Sequence, residues 1–222
     1  NLQGSNLAGA KLLLADLKSA SLIGAFMMHA QLEGASLDNA DLTAADLQQA
    51  RLHGASLAHV TIAGADFRGA AFWQTRPPDA DATGLADFSG ATARPFGPDE
   101  REEIRRAVEY IDDVAVQERA RDTLSPLFGA ADDAAWKATP EHQRWVALMA
   151  AGRGAGAGDK ARLTETIVRL ICKSRWSALG VGPGLVRRAK STLFKGDGAA
   201  VYDRIRADDC IGGKHVPAKL MQ

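Results

Sequence analysis

Residues 40–57 read ADLTAADLQQARLHGASL, in which alanine and leucine keep fixed places while everything between them changes. Counting every fifth residue from Leu2 to Phe72 meets fifteen sites, all of them Leu, Met, Ile or Phe. Two positions before each, the fourteen sites from 5 to 70 are Ala at twelve, with Ser5 and Val60 the departures. The register runs for over seventy residues without an insertion. A helix repeats its apolar face near 3.6 residues and a strand near 2, so a strict five fits neither. A fixed period kept over many copies signals a solenoid, whose units bury their apolar sides only against their neighbours.

The blocks ADLTA (40–44), ADLQQ (45–49) and ADFRG (65–69) match the motif A(D/N)LxX, and the pattern resembles the bacterial pentapeptide-repeat proteins over residues 1 to about 76, with a recurrence at 86–91. The resemblance implies a right-handed quadrilateral β-helix, with one pentapeptide per side and four per coil. Residues twenty apart should then stack, in interior columns Leu2/Leu22/Leu42/Ile62, Leu7/Met27/Leu47/Phe67, Leu12/Leu32/Leu52/Phe72 and Leu17/Leu37/Leu57. The alanines at 10 to 70 fill corners where a larger side chain would collide. Phe67, Phe72 and Phe88 suit a terminal coil that closes the core. WQTRPPDADATG (73–84) breaks the phase with two prolines and turn formers, so 73–85 is expected as a loop inserted into the last coil.

Beyond residue 95 the period becomes helical, which makes the expected fold class β + α: a solenoid over 1–91 followed by a small all-α domain over 95–222. Ile104, Val108 and Ile111 share one face of a helix for which Asp99 is the expected N-cap. A second helix is expected over 114–127. A third starts at Thr139 as cap with Pro140 at the first helical position and stops at Gly152. GRGAGAG (152–158) reads as a linker or an ordered loop, and it lacks the Gly-Lys-Ser/Thr and the βαβ context of a phosphate or dinucleotide site. Asp159 caps a helix to Lys173 with Leu163, Ile167, Leu170 and Ile171 inward, and further helices are expected over 184–195 and 198–208.

Lys+Arg and Asp+Glu both total 27, which excludes a uniformly basic or acidic binder. By segment, basic and acidic residues number 5 and 6 in 1–76, 7 and 12 in 99–151, and 14 and 6 in 152–222. The basic group Arg169, Lys173, Arg175, Arg187, Arg188, Lys190 and Lys195 is a candidate contact for an anionic membrane surface. It carries little aromatic interleaving, which argues against nucleic acid. No stretch has the ~18 to 20 apolar residues of a membrane span. Because Asn1 already sits in phase and no Met opens the chain, an upstream portion is expected.

Candidate sites are few. Cys172 and Cys210 could pair as a disulfide or stay reduced and buried. The segments GAAFWQTRPPDA, RLICKSRW and RADDCIGG are similar to a subset of the family in which the prism follows a membrane-spanning region, and that resemblance leaves the side of the membrane open. His29, His53 and His59 fall in different columns and read as solvated, so no metal set arises, and no nucleophile elbow is present. Leu13, Leu14, Ile23, Phe26, Met28 and Trp73 fall at outward positions, with Ile23, Phe26 and Met28 forming a candidate protein contact. No catalytic, cofactor or metal residues emerge. The expectation is a non-enzymatic scaffold for protein partners in a bacterium, cytoplasmic or membrane-associated, with self-association open. Two alternatives stand beside it: a DNA-mimicking inhibitor of a type II topoisomerase, and a ligand-binding or enzymatic site in the helical part.

Overall fold

A computed structural model describes residues 1–79, 86–128, 133–151, 161, 164–165, 167–169, 171–172, 198–207 and 210. Residues 1–79 wind into stacked coils of twenty residues. Single-residue parallel bridges join Asn6 to Phe26, Lys11 to Gln31, Asp16 to Ser36 and Ser21 to Asp41, and the series continues upward to Ser56–Arg76. Four bridges per turn of chain define four walls. The first holds 1–5, 21–25, 41–45 and 61–65, the second 6–10, 26–30, 46–50 and 66–70, the third 11–15, 31–35, 51–55 and 71–75, and the fourth 16–20, 36–40, 56–60 and 76–79. Each wall is so short that its pairing is an isolated bridge rather than an extended strand.

The pentapeptide encodes its own turn. In Asn6–Ala10 the Ala10 N–H donates to the Leu7 carbonyl at 3.0 Å, and Gly9, third in that four-residue turn, has φ +65°. The same left-handed backbone recurs five residues apart at Gly24, His29, Gly34, Asn39 and onward, as a turn of this hand requires. Glycine and asparagine tolerate it best; Leu14, Ala44 and His59 adopt it as well (φ +58°, +55° and +54°) because the coils above and below fix the backbone. The Asp or Asn that opens the motif caps the turn: Asp41, Asp46, Asp66 and Asp87 each accept the N–H two residues on, at 2.9–3.2 Å.

Leu22, Leu32, Leu37, Leu42, Leu47, Leu52, Leu57, Met27, Ile62, Phe67 and Phe72 are fully buried, and the Leu32 and Leu52 N–H groups donate to the next coil at Arg51 and Ala71. The interior columns therefore stack as the spacing predicts. Leu2, Leu7, Leu12 and Leu17 of the first coil are half-buried.

The loop expected at 73–85 does not begin at 73. Thr75 N–H still donates to Phe72 and Arg76 bridges Ser56, so the coil continues through 76. Re-entry comes at Asp87, bridged to Asp66, and Thr92, bridged to Ala71. These separations are 21 residues rather than 20, and Phe88 still lands over Phe67 with rings stacked at 5.0 Å; residues 80–85 lie outside the described residues.

Among the described residues, helices follow at α1 (Pro98–Glu109), α2 (Val114–Phe128), α3 (Asp133–Lys137) and α4 (Pro140–Ala151), with α5 (Gly198–Arg206) further along. The N-cap of α1 is Gly97, not Asp99: Pro98 takes the first helical position, where its missing N–H is harmless, and Glu100 reaches back to accept the Gly97 N–H at 3.0 Å. In α2, Pro126 cannot donate to the Asp122 carbonyl, and the Ser125 hydroxyl donates there instead at 2.9 Å. Thr139 caps α4 through the His142 N–H. Residues 161, 164–165, 167–169 and 171–172 are helical, with Ile167 and Ile171 buried. The side chains of Leu163 and Leu170, Gly152, the linker 152–158 and the helix expected over 184–195 lie outside the described residues.

Candidate functional site

The third wall is where the two halves of the chain meet. Its column Leu14/Gly34/Gly54/Gln74 presents two glycines, and α2 docks there. A Cβ built on Gly34 would sit 2.9 Å from Leu124 and 2.7 Å from Leu14, and one on Gly54 would sit 3.0 Å from Leu127. Both glycines also have φ near +67°, so helix approach and backbone conformation demand the same residue. At the upper end, Trp145 of α4 stacks on Phe72 (3.9 Å between centroids) and donates its Nε1–H to the Thr75 carbonyl at 2.8 Å. Trp136 of α3 packs against Trp73 and donates to Ala93 at 2.7 Å. The core is thus closed by two tryptophans from the helices as well as by the predicted phenylalanines.

This docking corrects three outward expectations. Trp73 is 1% exposed, and Leu13 and Leu14 are half-buried against the core. His53, expected in solvent, is also 1% exposed, its ring tilted over Phe96 at 4.9 Å. The signal lay in the twenty-residue stacking, which puts Leu13, Glu33, His53 and Trp73 in one outward column. A column with a Leu and a Trp in it is half-way to being an interface.

Polar groups trapped in that interface define the candidate site. Glu33 is fully buried, with Oε1 2.7 Å from Arg51 Nε but misaligned with its N–H, so neither carboxylate oxygen has a hydrogen-bond partner. Burial pushes the Glu33 carboxyl up from 4.5 to about 7, against the pull of Arg51. Arg51 turns its Nη1 to Glu103 of α1 at 2.6 Å, and that hydrogen bond holds the Glu103 carboxyl below its ordinary range. Burial and then the nearby Arg51 charge lower His53 to about 3, so its imidazole is neutral. Arg101 of α1 lies over the Phe96 ring at 5.6 Å. Above His53 opens a groove of about 510 Å³ between the last coil and the segment leading into α1.

The remaining candidates fall elsewhere. His29 and His59 are exposed, His59 paired with Asp79, and no cluster of metal-binding side chains forms among the described residues. Ile23 stands on the first wall and Phe26 and Met28 on the second, all half-buried. Cys172 and Cys210 are joined as a disulfide. Arg169 is exposed; Lys173, Arg175, Arg187, Arg188, Lys190 and Lys195 lie outside the described residues. No helix is long and apolar enough to cross a membrane among the described residues.

The model of the family described as pentapeptide repeats matches residues 1–34 and 35–74 with eight copies. Residues 1–74 are pentapeptide repeats. Similar solved structures include a pentapeptide-repeat protein of the cyanobacterium Cyanothece, 28% identical over 41% of this chain and 58% of that one with a TM-score of 0.33. The chain thus spans less than two thirds of that relative. A thylakoid-lumen pentapeptide-repeat protein of Arabidopsis thaliana is 27% identical over 56% of this chain and 86% of its own, TM-score 0.36. QnrB1, a plasmid-mediated fluoroquinolone resistance protein, is 20% identical over 42% and 60%, TM-score 0.21. Among curated proteins, none matches.

Proposed function

We propose that this chain is a non-enzymatic scaffold that binds protein partners on the second and fourth walls of its prism. One observation carries the reading. The left-handed residue of each pentapeptide is exposed on those two walls, at Gly9, His29, Gln49 and Gly69, and at Ser19, Asn39 and His59. On the third wall the equivalent Leu14, Gly34, Gly54 and Gln74 are half-covered, and on the first Gly24, Ala44 and Gly64 are buried. Two walls therefore stay open, each a ladder of side chains repeating at the ~4.8 Å of stacked strands. Their polar groups are held in place: Arg68 is bidentate on Asp66 at 2.9 and 2.8 Å, and Asp38 accepts from Ser56 and from the Ala58 N–H. A surface so fixed loses little side-chain entropy on binding.

A photo-crosslinking residue placed at Gln49 or His59 should capture one defined protein in the source cells, whereas the same residue at Gln74 of the covered wall should not. Gln49→Arg and His59→Glu should each abolish co-purification of that protein without altering the melting curve. Equal capture from all three positions would remove the proposal, as would enzymatic turnover that a surface substitution abolishes. The topoisomerase reading needs an acidic prism in place of DNA, and residues 1–76 have 5 basic against 6 acidic side chains. A gyrase supercoiling assay unaffected at micromolar protein would discard it.

A further inference from the structure

We propose that this chain works in an oxidising compartment, outside the reducing cytoplasm, where the Cys172–Cys210 disulfide is the covalent staple that holds α5 beside the helical stretch carrying Cys172. This holds independently of the scaffold reading, which concerns the walls of the prism and applies on either side of a membrane.

The chain has two cysteines in 222 residues, and both are used. Their sulfurs are joined across 38 residues, which leaves no free thiol. The bridge ties the helical residues 171–172 to the turn after α5, where the Cys210 N–H donates to the Ala207 carbonyl at 3.0 Å.

In the cytoplasm, glutathione and thioredoxin keep thiols reduced, and the disulfides that do form there are transient ones serving catalysis or redox sensing. Such a bridge needs a sulfur open to an attacking thiolate. Here Cys210 is 1% exposed and Cys172 is half-buried. The same two stretches bury Ile167, Val168, Ile171, Val201 and Ile205. An enclosed sulfur among apolar side chains is structural rather than reactive.

The segment also has a physical need for a staple. Residues 152–222 hold 14 basic and 6 acidic side chains, a surplus of 8 positive charges, and like charges repel one another in a compact state. A unit of this size has a small core to set against that repulsion. Closing a loop of this length restricts the unfolded chain and favours the folded one by roughly 100- to 1,000-fold. The bond forms by exchange: the two thiols pass their hydrogens and an electron pair to the disulfide of a thiol oxidoreductase in the compartment, which leaves as a dithiol.

Two measurements test this. Source cells are quenched in acid and the chain is alkylated with a polymer-bearing maleimide, before and after reduction. It should migrate unshifted before reduction, carry two adducts after it, and fractionate away from the cytosol. In the purified 222-residue chain, Cys172→Ala together with Cys210→Ala should speed amide exchange at Ile167, Ile171, Val201 and Ile205 by roughly 100- to 1,000-fold, while Leu32 and Leu52 of the prism exchange as before. Two adducts without reduction in the quenched cells, oxidised chain in the cytosolic fraction, or unchanged exchange at Ile167 and Val201 would each overturn the proposal, as would loss of protection at Leu32 and Leu52 as well.

Discussion

Replacing Glu33 by Gln should stabilise this protein, and only above acidic pH. Glu33 is fully buried between the prism and α1, and its carboxyl is raised from 4.5 to about 7. Folding therefore favours the protonated acid. The sign follows from linkage: the contribution is present in full below pH 4.5, is lost as pH rises towards 7, and is absent above it. Moving one carboxyl over that interval amounts to about 3 kcal/mol. Glutamine has nearly the shape of the protonated acid and no charge to expel from water, so Glu33→Gln should match the parent at pH 4 and exceed it by about 3 kcal/mol at pH 8. In urea this is a midpoint shift of roughly 1 to 1.5 M for a slope near the upper end of the usual range. Equilibrium unfolding of both proteins from pH 4 to 8 isolates the effect, because every other titrating group is common to the two. A variant less stable than the parent at pH 8, or a difference that does not change with pH, would refute the reasoning and show that the ion pair with Arg51 outweighs the burial penalty.

Four further outcomes are expected. Gly34→Ala forces a Cβ to within 2.7 Å of Leu14 and 2.9 Å of Leu124 at a backbone φ of +67°, and should cost about 1–3 kcal/mol in urea unfolding. Trp145→Ala uncovers Phe72 and orphans the Thr75 carbonyl; it should cost about 3–5 kcal/mol and expose the upper coil to hydrogen exchange. Glu103→Gln removes a half-exposed partner of Arg51, so it should change stability by less than about 1 kcal/mol, an effect that high salt erases. Alkylation of the unfolded, unreduced chain should leave Cys172 and Cys210 unmodified, and mass spectrometry after reduction should find both labelled.

The prism was legible because its rule is local. Each pentapeptide writes its own turn and its own inward leucine, so every fifth position could be assigned without knowing any distant contact. The N-cap of α1 shows the finer limit of such reading: Asp99 and Gly97 are both capping types, and the choice between them turned on Pro98, which takes the favoured first helical position behind a Gly97 cap and would lie outside the helix before an Asp99 cap. What the sequence did not disclose was which wall the helices would cover. His53 and Glu33 carry polar side chains at outward sites, where solvent is the ordinary expectation. Only the helices and the segment leading into α1, packed from more than forty residues away, make them buried. The two glycines at 34 and 54 looked like turn residues, which they are, and their second role as a seat for Leu124 and Leu127 has no local signature. The start of the expected loop was misplaced for a related reason. Trp73 to Arg76 run into prolines and turn formers, yet the bridge from Arg76 to Ser56 keeps them in phase.

A tube with four walls has quarter-turn addressing. With the helices seated on the third wall, the second and fourth look out in opposite directions on either side of them. Two bound molecules, one per open wall, would be held back to back across the leucine core, out of each other's reach, at a separation no linker could slacken. Lengthening such a device by whole coils would raise the number of rungs offered to each guest without rotating either one.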